Sequence, residues 1–214
     1  LKKNNIDAEY ASDREEALAK VKKAIPKDAT IGIGDSITLH QIGFFSWLEK
    51  ESNRVLFDAF TKDAESRNIY SPEERFELMR KAITADIFLT SSNAVTLEGK
   101  LVNIDARGNR VAAMIFGPKK TIIVIGANKI VKDTDEAFKR IKFICAPFNM
   151  KRHVLKHHYE FFEKLPCVEK GICVECNSPM KVCRKIVVID GQMKIPSLVG
   201  TEIYVIMVGE SLGI

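Results

Sequence analysis

An α/β fold with a mostly parallel sheet and helices on both faces is predicted by two features of this sequence. Short, largely apolar runs such as "ATIGIG" (29–34), "DIFLTSS" (86–92) and "TIIVIG" (121–126) recur along the chain. Segments of helical period separate them. Strands buried on both faces read as continuous apolar runs, and right-handed crossover helices join parallel neighbours. A third feature stands outside this alternation: four of the five cysteines fall within residues 167–183.

The elements follow in order. "SDREEALAKVKKAI" (12–25) places Ser12 three residues before Glu15, the pattern of a capping box, with Ala17, Leu18, Val21 and Ile25 at helical spacing. "ATIGIG" reads as a buried strand entering a glycine turn, and "SITLHQIGFFSWLEKE" (36–51) as the helix after it. "RVLFDAF" (54–60) is a short strand. "SPEERFELMRKAITA" (71–85) is a helix capped by Ser71, with Pro72 at the first helical position and Glu74 closing the box. "DIFLTSS", "KLVNID" (100–105) and "TIIVIG" are strands; "TDEAFKRIKFI" (134–144) and "MKRHVLKHHYEFFEKL" (150–165) are helices. After the cysteines, "KIVVID" (185–190) and "EIYVIMVGE" (202–210) close the chain as strands.

The 214 residues suit one α/β domain over 1–214, with 167–183 as a cysteine-rich appendage. The net charge of +5 is spread along the chain rather than gathered into a stripe with interleaved aromatics, which argues against a nucleic-acid partner. A small anionic organic molecule or an acidic protein fits better. No run of about 18 apolar residues exists, so no membrane span is expected. An odd, clustered cysteine count points to a reducing, cytoplasmic setting. A homodimer is compatible with the composition, although nothing specific requires it.

In parallel sheets ligands bind beyond the carboxyl ends of the strands. After the first apolar strand, "GIGDSITL" sets Gly32, Gly34, Asp35 and Ser36 before a helix. Glycine lets backbone N–H groups approach a ligand and the helix N-terminus favours an anion. Asp35, however, puts a negative charge there, and a plain junction capped by Asp35 or Ser36 accounts for the same residues. "TSSNAVTLEGKLVNIDARGNRVAAMIFGP" (90–118) is dense in Ser92, Asn93, Thr96, Glu98, Asn103, Asp105, Asn109 and Arg110. These form either an internally satisfied polar network or a pocket with Glu98 as acid or base and Arg110 as anion clamp. "GANKIV" brings Asn128 and Lys129 to a strand end. His153 and His157 share a helix face at i,i+4, with His158 beside them. No Glu completes H-E-x-x-H, so surface histidines beside Lys and Arg explain them; His40 is the fourth histidine.

Cys167, Cys173, Cys176 and Cys183 follow the spacing C-x5-C-x2-C-x6-C. A C-x2-C turn can bring two thiolates to one metal, and the outer pair can complete a tetrahedral set. The spacing matches neither common ferredoxins nor standard zinc fingers. A redox thiol pair or inert thiols are the other readings. Cys145, at the end of an apolar helix, reads as a packing residue.

"GIGDSITL", "SSNAVTLEGKLVNIDARGNRVAAMIFGPKKTIIVIGANKIV", "APFNMKRH" and the terminal cysteine set together resemble the lactate utilisation (LUD) domain family, which includes lactate utilisation protein C. The resemblance covers nearly the whole chain and points to a cysteine-bearing subset. Ala106 stands where members often carry Gly. The resemblance implies a fold like that of the sugar-phosphate isomerase and CoA-transferase group. It implies a pocket built from Gly34, Asp35, Ser36, Ser92, Asn93, Glu98, Asn103, Asn109, Arg110, Asn128 and Lys129. It also implies a metal centre at Cys167, Cys173, Cys176 and Cys183, an iron–sulfur cluster ahead of zinc. Family systems that oxidise L-lactate to pyruvate pair this domain with separate iron–sulfur subunits. The expected function is an accessory or electron-transfer component of lactate or organic-acid oxidation. The alternatives are an isomerase- or CoA-transferase-like enzyme using Glu98 and Arg110, or a binding module with structural zinc. The sequence leaves open whether the chain is itself an enzyme.

Overall fold

The computed structural model describes residues 1–214 except 52, 53, 66, 158, 196, 197 and 199. His158 and the side chain of His157, hence the histidine pair, lie outside the described residues. In chain order the elements are β1 (Asp7–Ala11), α1 (Arg14–Ala24), β2 (Ile31–Ile33), α2 (Ile37–Gln41), α3 (Phe44–Leu48), β3 (Leu56–Phe57), α4 (Pro72–Ile83), β4 (Ile87–Thr90), β5 (Ala94–Thr96), β6 (Leu101–Asp105), α5 (Asn109–Ile115), β7 (Lys120–Gly126), β8 (Ile130–Val131), α6 (Thr134–Arg140), α7 (Ala146–His157), α8 (Pro166–Glu169), β9 (Lys185–Ile189) and β10 (Glu202–Val208).

The main sheet has six strands in the order β1-β10-β7-β4-β2-β3, all parallel. Alternate residues serve its two faces. Ile31, Ile33, Ile87, Leu89, Ile122, Val124, Ile206 and Val208 pack against Ala17 and Val21 of α1, Leu39 of α2, and Phe44 and Leu48 of α3. On the opposite face Phe88 meets Ala82 of α4 and Ala113 of α5. Beside them Ile123, Ile125, Ile203 and Val205 meet Val111 and Met114 of α5. Each such Val, Ile, Leu, Phe or Met side chain contributes on the order of 1.5–3 kcal/mol of burial. The expected α/β architecture, a parallel sheet flanked by helices, is therefore the one observed.

A second sheet, in the order β8-β5-β6-β9, was not anticipated. "KLVNID" and "KIVVID" belong to it as an antiparallel pair, with Leu101 opposite Ile189. One side of this sheet joins the core through Val95, Leu101 and Ile189. The other, through Ala94 and Val102, packs on Ala137, Ile141 and Cys145.

Local signals hold in part. Ser71, Pro72 and Glu74 form the expected capping box of α4. For α1 the box sits one residue later: Asp13 caps the Glu16 N–H at 2.9 Å, and Glu16 returns to the Ser12 N–H at 2.7 Å. The helix expected over 36–51 breaks at Gly43, whose φ of 76° only glycine adopts freely, giving α2 and α3. α6 and α7 are joined by a π-helical turn, Ile141–Cys145, in which the Ala146 N–H bonds to Ile141 O. Pro147 supplies the cause. It has no N–H for the Phe143 carbonyl, and in an α-helix its ring would collide with that group. The helix expected to run to residue 165 ends at His157, and a 3-10 turn, Glu160–Phe162, follows. No helix among the described residues is long and apolar enough to cross a membrane.

Candidate functional site

A cleft of about 1120 Å³ opens beyond the carboxyl ends of β2, β4 and β7, the position that parallel topology favours. Asp35, Ser36 and Thr38 line it after β2, Ser91, Ser92 and Asn93 after β4, and Lys129 after β7; Asn109 and Arg110 of α5 join them. Cys145 of the π turn, Arg152 and His153 of α7, and Lys181 and Cys183 of the cysteine segment form the facing wall.

The "GIGDSITL" loop is both a junction and a wall of this cleft. Ser36 caps α2 through its Oγ, which accepts from Leu39 N at 3.3 Å. The charge of Asp35 is offset across the cleft by an ion pair with Arg152. Gly34 does not line the cleft. It lies against β4, where a Cβ would come 2.8 Å from Thr90 Oγ1.

The polar motif resolves into a framework centred on Arg110. Its Nη1 donates to Asn103 Oδ1 at 2.7 Å and Ser91 O at 2.9 Å, its Nη2 to Ile104 O at 2.8 Å and Asn93 Oδ1 at 3.0 Å. Its Nε faces Asp105 at 3.4 Å. With these donors engaged inside the protein, Arg110 is a poor anion clamp. It orients Ser91, Asn93 and Asn103 instead. Asn103 is fully buried under the cleft, and its Nδ2 has no hydrogen-bond partner among the described residues.

Glu98 is outside the cleft. It sits on the turn between β5 and β6 with its side chain largely exposed, 3.6 Å from Lys100 Nζ. The expectation of an acid, base or nucleophile there meets no substrate-sized space. Asn128 also stays off the cleft wall. Its Oδ1 accepts from Leu212 N at 3.0 Å and its Nδ2 donates to Gly213 O at 3.4 Å, drawing that segment over Lys129.

Lys129 is the chemically distinctive group. Only 4% exposed, it donates from Nζ to Ser91 Oγ at 2.9 Å and to Thr38 Oγ1 at 3.2 Å. No carboxylate pairs with it among the described residues. Burial, then the positive charges of Arg140 and Arg110, lower its pKa to about 7, against the pull of Cys145.

Two residues beside it were not anticipated as site residues. Arg140 donates from Nη1 to Asn93 O at 3.0 Å and Cys145 Sγ at 2.7 Å, and from Nε to Asn128 O at 3.2 Å. Cys145 is buried, as a packing residue should be, yet it also faces the cleft. The available signal was Arg140 itself, a cation on the same helix face as Ala137 and Ile141. At the far end, burial holds His153 down to about 4 despite Asp35, and burial with the charge of Asp35 raises Asp58.

Cys167, Cys173, Cys176 and Cys183 are free, half-buried thiols. Burial raises the pKa of Cys167, and so does the proximity of Cys176, Cys183 and Cys173. The four therefore lie near one another. As placed, no three His, Cys, Asp or Glu side chains among the described residues are arranged to hold a metal ion. The donor chemistry suits a soft metal; the geometry is not closed around one.

A family model described as "LUD domain" matches residues 1–208. A crystal structure of a DUF162 family protein from Deinococcus radiodurans is similar at 14% identity and a TM-score of 0.49, over 96% of this chain and 90% of that one. No curated protein matches the chain.

Proposed function

The chain belongs to the LUD domain family, and on that premise we propose that it is an accessory or electron-transfer component of lactate or related organic-acid oxidation whose cleft binds a small anionic organic molecule. The observation that carries this is Lys129, a buried amine at the floor of the cleft with Arg140 and Arg110 as charged neighbours and no carboxylate partner among the described residues. Burying uncompensated positive charge costs several kcal/mol. An anion entering the cleft offsets that cost, so the site favours one. Titration calorimetry with L-lactate, pyruvate and inorganic phosphate tests this. We expect saturable binding of a small anion that Lys129→Met weakens by at least tenfold. No binding of any of them would sink the proposal.

The cysteine segment supports a second element of this function. Four thiols within residues 167–183 form a soft donor set, and Cys183 also borders the cleft. We propose that they hold an iron–sulfur cluster, with zinc as the alternative; the loop would close around the metal on binding, as coupled metal sites do. Iron–sulfur partner subunits would then exchange electrons with it. Metal and acid-labile sulfide analysis of anaerobically purified protein decides this. Iron with sulfide supports electron transfer, zinc without sulfide a structural clamp, and absence of both removes the metal. The enzyme alternative built on Glu98 gains nothing from the geometry, because that carboxylate is outside the cleft.

A further inference from the structure

We propose that Lys129 is a nucleophilic amine that captures the carbonyl carbon of a small 2-oxo acid in the cleft as a reversible imine. This rests on the proposal that the cleft admits small organic anions, and it deepens it by naming the substrate class and the atom that reacts.

The geometry supplies what such a step needs. Lys129 lines the cleft at the end of β7 and is held by two hydroxyls rather than by a carboxylate. A carboxylate partner would keep the amine protonated; hydroxyls do not. The charged groups facing it are Arg140 of α6 and Arg110 of α5, with the Cys145 thiol of the π turn beside them. Burial first, then the two arginines against the pull of Cys145, bring its pKa to about 7, so a large share of the amine is unprotonated at neutral pH. A lysine desolvated beside other cations is the usual arrangement of an activated amine. Ser91 Oγ and Thr38 Oγ1 lie 3.4 Å from each other, so Nζ and the two hydroxyls form one connected cluster able to pass a proton.

The step balances within the site. The Nζ lone pair attacks the carbonyl carbon, a C–N bond forms, and the π pair of C=O moves to oxygen. The amine proton passes through the Ser91 or Thr38 hydroxyl to that oxygen, giving a carbinolamine. A second proton, taken from solvent through the same hydroxyls, converts the hydroxyl to water. As water leaves with the C–O pair, the nitrogen lone pair forms C=N, and the product is an iminium that carries that proton's charge until it is returned to solvent. No electrons are gained or lost, and hydrolysis reverses each bond. The substrate class follows from charge. An iminium formed within reach of the charges of Arg140 and Arg110 would add positive charge to a buried positive cluster. A carboxylate on the adjacent carbon neutralises it, so a 2-oxo acid fits where a neutral ketone does not.

The test is reductive trapping of the wild-type protein at pH 7 with pyruvate or glyoxylate and sodium cyanoborohydride, followed by peptide mass mapping. We expect the adduct at Lys129, forming on the order of a hundredfold or more ahead of exposed lysines of the same chain, whose neutral fraction at that pH is far smaller. Excess L-lactate, an anion without a carbonyl, should slow it. Labelling absent from Lys129, or no faster there than on exposed lysines, overturns the proposal. Calorimetry with L-lactate on the same sample separates the two levels. Binding without trapping overturns the imine alone, whereas neither binding nor trapping overturns the anion site as well.

Discussion

Arg110 donates from Nη1 to Asn103 Oδ1 at 2.7 Å, and this bond ties the start of α5 to β6 beneath the cleft. Replacing Arg110 by Ala takes one charged donor from each of the acceptors on Ser91, Asn93, Asn103 and Ile104 and removes the guanidinium beside Asp105. Buried hydrogen bonds and charges broken on one side cost about 3–5 kcal/mol. Urea denaturation of Arg110→Ala should show a loss of that size. Arg110→Lys should recover little of it, since an ammonium cannot reproduce the planar fork.

Gly32 faces α4 so closely that a Cβ would lie 2.8 Å from Ala82 Cα and closer still to the Ala82 carbonyl oxygen. Backbone cannot swing aside as a side chain can. Gly32→Ala should therefore destabilise the protein by about 1–3 kcal/mol, and thermal melting should show the drop.

Asp86 accepts from Thr30 N at 2.9 Å, Thr30 Oγ1 at 2.7 Å and Lys119 Nζ at 2.7 Å. Lys119 first, and then Thr30, hold its carboxyl well below the usual range. A depressed carboxylate stabilises the fold above the unfolded value of about 3.9 and loses that contribution as pH falls through the folded value. Asp86→Asn should thus cost about 1 kcal/mol at pH 7, a modest figure because Lys119 is solvent-exposed. The difference from wild type should close as denaturation is repeated at progressively lower pH.

Lys129 shares the direction of that pH dependence, but its charge is a penalty rather than a gain. Its folded pKa of about 7 lies below the unfolded value of about 10.4, so between these the unfolded chain binds more protons and wild-type stability rises with pH. Below about pH 7 the burial penalty is present in full. Lys129→Met removes it and should be more stable than wild type by about 1–3 kcal/mol at pH 6. That advantage should shrink as pH approaches 10. A variant less stable than wild type at pH 6 would contradict this account.

What the sequence made legible follows from distance along the chain. Ile31–Ile33, Ile87–Thr90 and Lys120–Gly126 are runs buried on both faces, so their apolar residues alone announce central strands. β1 is an edge strand whose Asp7 and Glu9 are exposed, and it hides among polar residues. β5 and β8, with three and two residues, are too short to show a period. The same limit governs the cleft. Lys129 stands out because it follows a strand, but its partners Thr38 and Ser91 are 91 and 38 residues away. Arg110 is conspicuous for its charge, while its role as a framework donor depends on Asn93, in the loop before β5, and Asn103, on β6, facing it. Glu98 lies in an equally polar motif; nothing local tells a turn that faces solvent from one that faces a ligand.

The π turn at Ile141–Cys145 closes from residue i+5 back to i and thus holds one residue more than an α-helical turn. Each residue of an α-helix advances about 100° around its axis, so that surplus residue resets the bearing of everything after it, Asn149, Arg152 and His153 included. A homologue whose chain runs straight through this point in α-geometry would be one position shorter here. Placed beside this sequence without a gap, it would show false agreement from Ala146 onward, with each cleft residue matched to a neighbour pointing elsewhere. The correct pairing calls for a single-residue break within 141–145, and the identity of the residue aligned with Arg152 is the place to check it.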